Sequence, residues 1–249
     1  MPPARADASF RSVTNPGLAE RLQAISWDSV REELEARGFA RVEQMLNAVE
    51  RRALVAAYDE AAFRSTVVMA RHGYGRGEYK YFDYPLPDDV ALLRTLTYAE
   101  LVAVANRWSA ALALGVDYPA THREYVERCH GAGQVRPTPL LLRYRADDYN
   151  CLHQDLYGEH VFPLQLTILL SDPARDFSGG EFVLTEQRPR MQSRVEVVPL
   201  GAGDAVIFAV RQRPVQGTRG IYRVNTRHGV SRLRSGERYA LGVIFHDAS

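Results

Sequence analysis

The segment Leu152–Leu156 reads LHQDL and places an imidazole and a carboxylate two residues apart, at His153 and Asp155. Successive side chains of a β-strand point to opposite faces, so residues two apart share a face. On a strand, His153 and Asp155 would therefore hold one metal ion between them. The pair alone is a weak signal, because a chain of average composition and this length contains it by chance in roughly one case in four.

Two further residues strengthen the metal interpretation. A second imidazole, His228, occurs in the strand-like segment YRVNTRHGVS. Two histidines and one carboxylate match the facial triad of non-haem Fe(II) oxygenases, which leaves coordination positions open for a cosubstrate and oxygen. Arg238 lies ten residues after His228. A hairpin turn at Leu233–Gly236 would bring its guanidinium near the metal, where it can bind a carboxylate with both nitrogens.

The elements that must position these residues fall into two halves. Before Gly131 the pattern predicts mainly helices, at Trp27–Arg37, from Asn47 as N-cap to about Phe63, at Ala91–Leu114 and at Tyr118–His130. Tyr74–Leu86 is predicted to be an aromatic loop that contains glycine and proline. From Thr138 onward, short β-rich runs separated by Gly, Pro and Asp turns predict a sandwich or barrel.

The composition is that of an ordinary globular protein, with 249 residues, 46% of them hydrophobic and 24% charged. One α+β domain is the simplest prediction for this length. No apolar run approaches the roughly 18 residues of a membrane span, and the N-terminus lacks a secretory signal pattern. Cys129 and Cys151 form no disulfide framework. We therefore expect a cytoplasmic protein with no membrane partner, and the sequence leaves its oligomeric state open.

The net charge of +1 conceals an uneven distribution. Residues 186–238 hold 11 arginines against four acidic residues, whereas residues 1–185 carry a net negative charge. A basic segment that includes His228 and Arg238 indicates an anionic ligand or partner. The arginines at 188, 190 and 194 would also suit a phosphate-tracking surface, so nucleic acid stays open as a partner.

With these motifs together, the stretch from about Leu140 to Phe245 resembles the double-stranded β-helix of Fe(II)/2-oxoglutarate-dependent dioxygenases, in particular the prolyl-hydroxylase-like branch. The resemblance rests on the HxD…H set, the Gly-Gly-Glu turn at 179–181 and a basic residue ten positions after the distal histidine. More narrowly, RPTPLLLRY, DYNCLHQDLYGEHVFPLQ and GGEFVLTEQRPRMQSR resemble a bacterial oxygenase family catalogued under oxidative demethylation of alkylated DNA. This narrower likeness covers most of residues 70–249.

The resemblance implies a fold and an arrangement along the chain. The expected class is α+β, a jelly-roll or cupin-like double-stranded β-helix with supporting N-terminal helices. Residues 1–17 would be a loose arm, 18–137 a mainly helical support and lid, and 138–249 the β-helix core of a single domain.

The resemblance also implies a site. His153, Asp155 and His228 would be the Fe(II) ligands and the catalytic centre, and Arg238 would bind the distal carboxylate of 2-oxoglutarate. Arg232 and Arg234 are nearby alternatives for that partner. Tyr144, Thr167 and Leu169 would line the cosubstrate pocket. The substrate residues we predict are the aromatic-loop and arginine candidates and the neighbours of the metal motif, namely Lys80, Tyr81, Tyr84, Gln154, Tyr157, Arg188 and Arg190.

The implied reaction consumes 2-oxoglutarate and O2, releases succinate and CO2 and hydroxylates a substrate C–H bond, with ascorbate as a reductant. Two substrate classes stay open. The first is an alkylated nucleic acid, and the second is a prolyl, peptidyl or amino-acid side chain. An alternative of another class is a catalytically silent, cupin-like metal-binding module.

Overall fold

The computed structural model describes residues 16–60, 62–173 and 175–249, so most of the predicted N-terminal arm lies outside the described residues. Five α-helices are present in this part of the chain, and their bounds are α1 Pro16–Ala24, α2 Trp27–Arg37, α3 Ala48–Glu60, α4 Asp88–Ala111 and α5 His122–Gly131. A single 3-10 turn covers Met69–Arg71. None of these helices is long and apolar enough to cross a membrane.

Local sequence explains where the helices begin and end. Helix α2 buries Trp27, Val30 and Leu34 on one face and ends at Gly38, whose φ of 79° suits a residue without a side chain. Helix α5 begins with a capping box between Thr121 and Glu124, in which each side chain bonds the other's backbone N–H.

The strands of the described residues form two antiparallel sheets. In chain order they are β1 Phe39–Val42, β2 Phe63–Val68, β3 Gly75–Arg76, β4 Glu78–Phe82, β5 Leu140–Arg145, β6 Tyr149–His153, β7 Leu164–Leu169, β8 Phe177–Gly179, β9 Phe182–Gln187, β10 Arg194–Val198, β11 Ala205–Ala209, β12 Gln212–Gly217, β13 Gly220–Val230 and β14 Leu233–Ile244. The major sheet has the order β1-β11-β7-β14-β5-β4-β2, and β8 also pairs with β14. The minor sheet has the order β10-β9-β13-β6-β3, and β12 also pairs with β13.

The two faces of the major sheet have different neighbours. Leu241 and Val243 on β14, and Phe245 directly after it, pack into the large apolar cluster that holds the buried side chains of α4. Because strand side chains alternate, Arg238, Ala240 and Gly242 point to the other face, toward the minor sheet. The helices thus cover one side of the major sheet, and the space between the sheets is left for a site.

Three sequence predictions about the fold are corrected. The segment 74–86 is not one loop, because it supplies β3 and β4, and β4 pairs with β2 and β5. The N-terminal half is not only helical support, because β1 to β4 add strands to both sheets. The predicted hairpin before Arg238 is also wrong, because β13 belongs to the minor sheet and β14 to the major sheet.

Candidate active site

The predicted metal-binding residues come together at one end of the minor sheet. His153 on β6 is the register partner of His228 on β13, and their ring centroids are 4.1 Å apart. Asp155 follows β6, and its two carboxylate oxygens lie 3.4 Å from Nε2 of His153 and 3.4 Å from Nε2 of His228. One ligand atom from each residue falls within 4.8 Å of the other two. This arrangement suits a single ion, because metal–ligand bonds of about 2.0–2.2 Å place their donor atoms at such separations.

The orientation and charge of these groups also suit a divalent metal. The other ring nitrogen of His153, Nδ1, bonds the Cys151 carbonyl at 2.8 Å, which directs Nε2 toward Asp155. Burial by itself raises the pKa of Asp155, but hydrogen bonds from the two imidazoles outweigh burial and hold that pKa well below its usual range. Burial lowers the pKa of His228. Burial also lowers the pKa of His153, but its hydrogen bond to Asp155 and the charge of that carboxylate outweigh burial and raise the pKa. Because a metal ion binds the unprotonated nitrogen of an imidazole, metal binding would displace a proton from His153.

A cavity of about 380 Å³ lies between the two sheets and contains the three candidate ligands. The minor sheet contributes the metal-binding end of β6 and β13. The major sheet contributes β5, β7 and β14 to the opposite wall. Ala240 and Gly242 lie on that wall, where a methyl group and a residue without a side chain leave open the volume that larger residues would fill.

Arg238 lies in the same cavity, on the wall opposite the metal-binding residues. It is 1% exposed, and its guanidinium carbon is 5.6 Å from the Tyr144 ring centroid and 6.0 Å from that of Phe177. No carboxylate among the described residues pairs with it, and its Nε has no hydrogen-bond partner there. Burial lowers the pKa of Arg238. Burying a cation without a counter-ion costs free energy. An anion bound in the cavity would offset that cost by pairing with Arg238.

The two alternative arginines are placed differently. Arg232 pairs with Asp147 at 3.4 Å and its side chain is 68% exposed. Arg234 pairs with Glu181 at 3.5 Å and its side chain is 67% exposed. Neither lines the cavity, so Arg238 is the guanidinium that the structure offers to a buried carboxylate.

Of the other residues predicted to contact the cosubstrate, two line the cavity and one does not. Tyr144 is fully buried, is the register partner of Arg238 and lines the cavity, as does Thr167 on β7. Leu169 does not line it. Although Leu169 lies two residues after Thr167 on the same face, it packs in an apolar cluster with Tyr144 and Phe177.

Of the predicted substrate residues, Gln154 and Tyr157 line the cavity. The Tyr157 hydroxyl donates a hydrogen bond to Asp155 Oδ1 at 2.6 Å. Gln154 is held from outside the cavity as well, because its Nε2 donates to the Thr226 carbonyl at 2.7 Å.

The remaining aromatic-loop candidates do not line the cavity. Lys80 points to the opposite face of β4 from Tyr79, and its Nζ bonds the Tyr58 carbonyl at 2.8 Å above the Tyr58 ring. Tyr81 is 7% exposed and packs behind the cavity wall against Tyr157. The Tyr84 hydroxyl bonds Asp247 at 2.9 Å, within the buried ion pair that Asp247 forms with Arg94.

The two arginine candidates are also remote from the cavity. Arg188 is paired with Glu186 at 3.1 Å, so its charge is partly neutralised. Arg190, with a φ of 62°, lies between β9 and β10. Neither residue lines the cavity.

Sequence reasoning missed five polar or aromatic residues of the wall, namely Tyr74, Tyr79, Asn150, Gln165 and Phe182. Asn150 Nδ2 donates to the Tyr144 hydroxyl at 3.3 Å. Gln165 is 3% exposed, and its Oε1 has no partner among the described residues. Tyr74 and Tyr79 belong to the segment predicted as a loop. Had β4 been predicted as a strand, the alternation of its side chains would have placed Tyr79 and Lys80 on opposite faces.

Comparison with known proteins identifies the family. The family model described as "Oxygenase, catalysing oxidative methylation of damaged DNA" matches residues 77–248, which is more than two thirds of the chain. The chain belongs to this oxygenase family. The oxygenase is also 48% identical, over 168 residues, to the uncharacterized protein Rv2227 of Mycobacterium tuberculosis, covering 68% of the chain and 72% of that relative. The uncharacterized protein MT2286 of Mycobacterium tuberculosis strain CDC 1551 gives the same values.

Solved structures share the fold of the oxygenase. An oxidoreductase of the 2OG-Fe(II) oxygenase family from Burkholderia pseudomallei aligns with a TM-score of 0.51 at 15% identity, over 90% of this chain and 94% of that one. A prolyl hydroxylase from Trichoplax adhaerens, in complex with a hypoxia inducible factor peptide, aligns with a TM-score of 0.50 at 12% identity, over 92% of each chain. The predicted double-stranded β-helix and the predicted enzyme class, a non-haem dioxygenase, are confirmed. The donor set and the buried guanidinium agree with Fe(II) and 2-oxoglutarate as cofactor and cosubstrate.

Proposed function

We propose that the oxygenase hydroxylates a C–H bond of its substrate with Fe(II) held by His153, Asp155 and His228. The cosubstrate is 2-oxoglutarate, whose distal carboxylate pairs with Arg238. The observation that carries the proposal is the buried, unpaired guanidinium of Arg238 in the same cavity as the three metal-binding side chains. A dicarboxylate spanning the cavity satisfies both ends, because one end neutralises Arg238 and the other faces the metal.

Each part of the site has a defined task. Bound Fe(II) supplies the oxidising chemistry, in which O2 and 2-oxoglutarate become CO2, succinate and one oxygen atom for the substrate. Three protein ligands leave positions open for the cosubstrate and oxygen. Tyr144 and Thr167 line the part of the cavity that would hold the cosubstrate, between the two sheets. In the overall balance, one C–H bond becomes C–OH for each 2-oxoglutarate that is decarboxylated.

Succinate formation tests this reaction. The purified chain with Fe(II), ascorbate and 2-oxoglutarate should produce succinate, and an Asp155→Ala variant should lose both bound iron and turnover. Asp28→Ala is the control, because the Asp28 side chain is 91% exposed on α2. Normal turnover in Asp155→Ala would overturn the assignment. A wild-type chain without iron and without turnover would instead favour the silent metal-binding module.

For the substrate, we favour an N-alkylated base of a nucleic acid. The family description, which names damaged DNA, supports this choice. Hydroxylation of an N-methyl carbon gives a hemiaminal, which breaks its C–N bond and releases formaldehyde. The expected result is therefore formaldehyde in equal amount to succinate when a methylated oligonucleotide is supplied.

A prolyl or peptidyl substrate is the second candidate. It is favoured by the fold likeness to the Trichoplax adhaerens prolyl hydroxylase, which was solved with a peptide. Hydroxylation of a ring or side-chain carbon leaves the oxygen on the product. A gain of one oxygen on a peptide without formaldehyde would select this candidate over the nucleic acid.

A further inference from the structure

The segment 69–77, which we call the aromatic rim, lies where the cavity opens to solvent. Tyr74 lines the cavity and is also 50% exposed, so its ring spans the boundary between the cavity and the solvent. Leu156, from the segment after the metal-binding motif, lines the same cavity and is 39% exposed. A substrate that extends from the cavity into solvent on this side therefore lies beside Tyr74.

The rim carries a stacked pair of rings. The imidazole of His72 and the phenol of Tyr74 lie 5.3 Å apart between centroids, at an angle of 23°. Both residues are exposed, and the glycine between them, Gly73, has a φ of 72° that larger residues rarely adopt. Exposed rings prearranged in this way lose little conformational freedom when another flat ring is added.

Backbone hydrogen bonds attach the aromatic rim to β6, the strand that carries His153. The Tyr74 carbonyl accepts a hydrogen bond from Cys151 N at 2.9 Å, and β3 pairs with β6 through Gly75 and Asn150. A side chain at Gly75 would clash with the Tyr149 carbonyl, because a Cβ there would lie 2.4 Å from that oxygen. Strand β6 ends at His153, so the position of the rings is set relative to the candidate metal centre.

Two exposed arginines flank the rings in the chain. Arg71 has no ion-pair partner among the described residues, and Arg76 is only 3.9 Å from Asp148 with its side chain 58% exposed. Aromatic rings combined with exposed guanidinium groups are the features that bind a single-stranded nucleic acid, since the rings stack on bases and the cations contact phosphates. A neutral peptide would use the rings but gain nothing from the charges.

We propose that the aromatic rim is the nucleotide-holding element of the oxygenase, in which a base stacks on Tyr74 and Arg71 and Arg76 contact the adjoining phosphates. This inference rests on the proposed nucleic-acid substrate and assigns its binding to residues outside the metal centre. Tyr74 is then a specificity-determining residue, because it selects substrates that present an accessible flat ring.

Binding of a fluorescently labelled, single-stranded DNA with one N-methylated base tests the rim. The full chain would be loaded with Fe(II) and 2-oxoglutarate under nitrogen, and Kd would be followed by anisotropy at several salt concentrations. Tyr74→Ala should weaken binding about 5- to 150-fold with the same salt slope, because one base–ring stack is lost. Tyr74→Phe keeps the ring and should bind as the wild type does.

The salt dependence of DNA binding tests the roles of Arg71 and Arg76. The logarithm of the binding constant falls as the logarithm of the salt concentration rises. Arg71→Ala and Arg76→Ala should each make this dependence shallower by about 0.7, the value for one phosphate contact on a single strand. Arg123→Ala is the matched control, because that arginine is 85% exposed on α5, outside the cavity lining. An Arg123→Ala slope that fell as far as that of Arg71→Ala would count against a defined phosphate contact at the rim.

The outcomes separate this inference from the proposed function. If the wild type binds and demethylates the DNA while Tyr74→Ala binds equally well, the rim proposal is wrong and the substrate proposal stands. If the wild type turns over 2-oxoglutarate but binds no DNA, and a proline-containing peptide binds instead, both the rim and the nucleic-acid substrate are overturned. Thermal unfolding of each variant shows that a loss of binding does not reflect misfolding.

Discussion

The hydroxyl of Tyr157 donates a 2.6 Å hydrogen bond to Oδ1 of Asp155, the carboxylate that lies between the two metal-binding histidines. Burial raises the pKa of Tyr157 well above its ordinary value, and the charge of Asp155 raises it further. The phenol therefore keeps its proton and remains a donor. Tyr157 thus fixes the rotation of a carboxylate that is itself 6% exposed, and we assign it as a positioning residue for the metal centre.

The first prediction concerns this hydrogen bond. Tyr157→Phe keeps the ring and removes the donor, so metal affinity should fall about 10- to 100-fold, the usual effect of losing a partner of a metal ligand. Calorimetric titration of the cosubstrate-free chain with Fe(II) or Zn(II) measures this directly. Tyr118→Phe is the control, since it removes the hydrogen bond to the Val161 carbonyl, away from the cavity. Equal metal affinity in the wild type and Tyr157→Phe would refute the positioning role.

The second prediction concerns Arg238. Arg238→Met should raise the KM for 2-oxoglutarate at least about 30-fold, because a buried charge pair contributes about 2 kcal/mol or more. Without the cosubstrate, the variant should be no less stable than the wild type, because the substitution removes a buried cation that has no counter-ion. Melting curves with and without 2-oxoglutarate test both points, and stabilisation by the cosubstrate should disappear in the variant. Arg234→Met, which changes an exposed arginine, should behave as the wild type does.

The third prediction concerns the volume over strand β14. Ala240→Leu places three extra carbons into the open cavity, so it should abolish 2-oxoglutarate turnover with little loss of stability. Ala105→Leu makes the same change in the closed core around α4, where overpacking should cost about 1–3 kcal/mol. Urea unfolding and succinate formation distinguish the two variants. A strongly destabilised Ala240→Leu would mean that the space above Ala240 is not available to a ligand.

The fourth prediction concerns acid stability. Burial lowers the pKa of His122 to about 4 and that of His246 to about 3, against about 6.5 in an unfolded chain. The unfolded chain therefore takes up more protons below pH 6.5, and the free energy of unfolding should fall as pH drops from 6.5 toward 4. The slope should reach about 1.4 kcal/mol per pH unit for each histidine.

His122→Gln isolates one of these contributions. Glutamine still donates a hydrogen bond to the Phe245 carbonyl, as His122 Nε2 does at 2.9 Å, but it cannot be protonated. Urea midpoints measured from pH 7 to pH 4.5 should therefore fall less steeply in this variant. Identical slopes in the wild type and His122→Gln would contradict a neutral, buried His122.

The motif predicted the three metal-binding residues, but the expectation that His153 and Asp155 share one strand holds only for His153. His153 is on a strand, whereas Asp155 lies after β6 ends, so strand alternation does not bring the two together. They meet because the chain turns immediately after the strand, which leaves the carboxylate 3.4 Å from the imidazole. His228, 75 residues away, is opposite His153 only through the pairing of β6 with β13, and no local signal encodes that register.

Sequence alone determined the residue types that can bind iron and a carboxylate, the family likeness, most of the helices and the β-rich character of the chain after Thr138. These features depend on motifs and short-range periodicity, which a linear chain displays directly. Only the tertiary structure decided that Arg238 reaches the site from the opposite sheet, that Lys80 points away from the cavity and that Tyr74 stands at its opening. These relations follow from long-range strand pairing and from the burial of one face of each sheet, so they exist only once the two sheets have packed together.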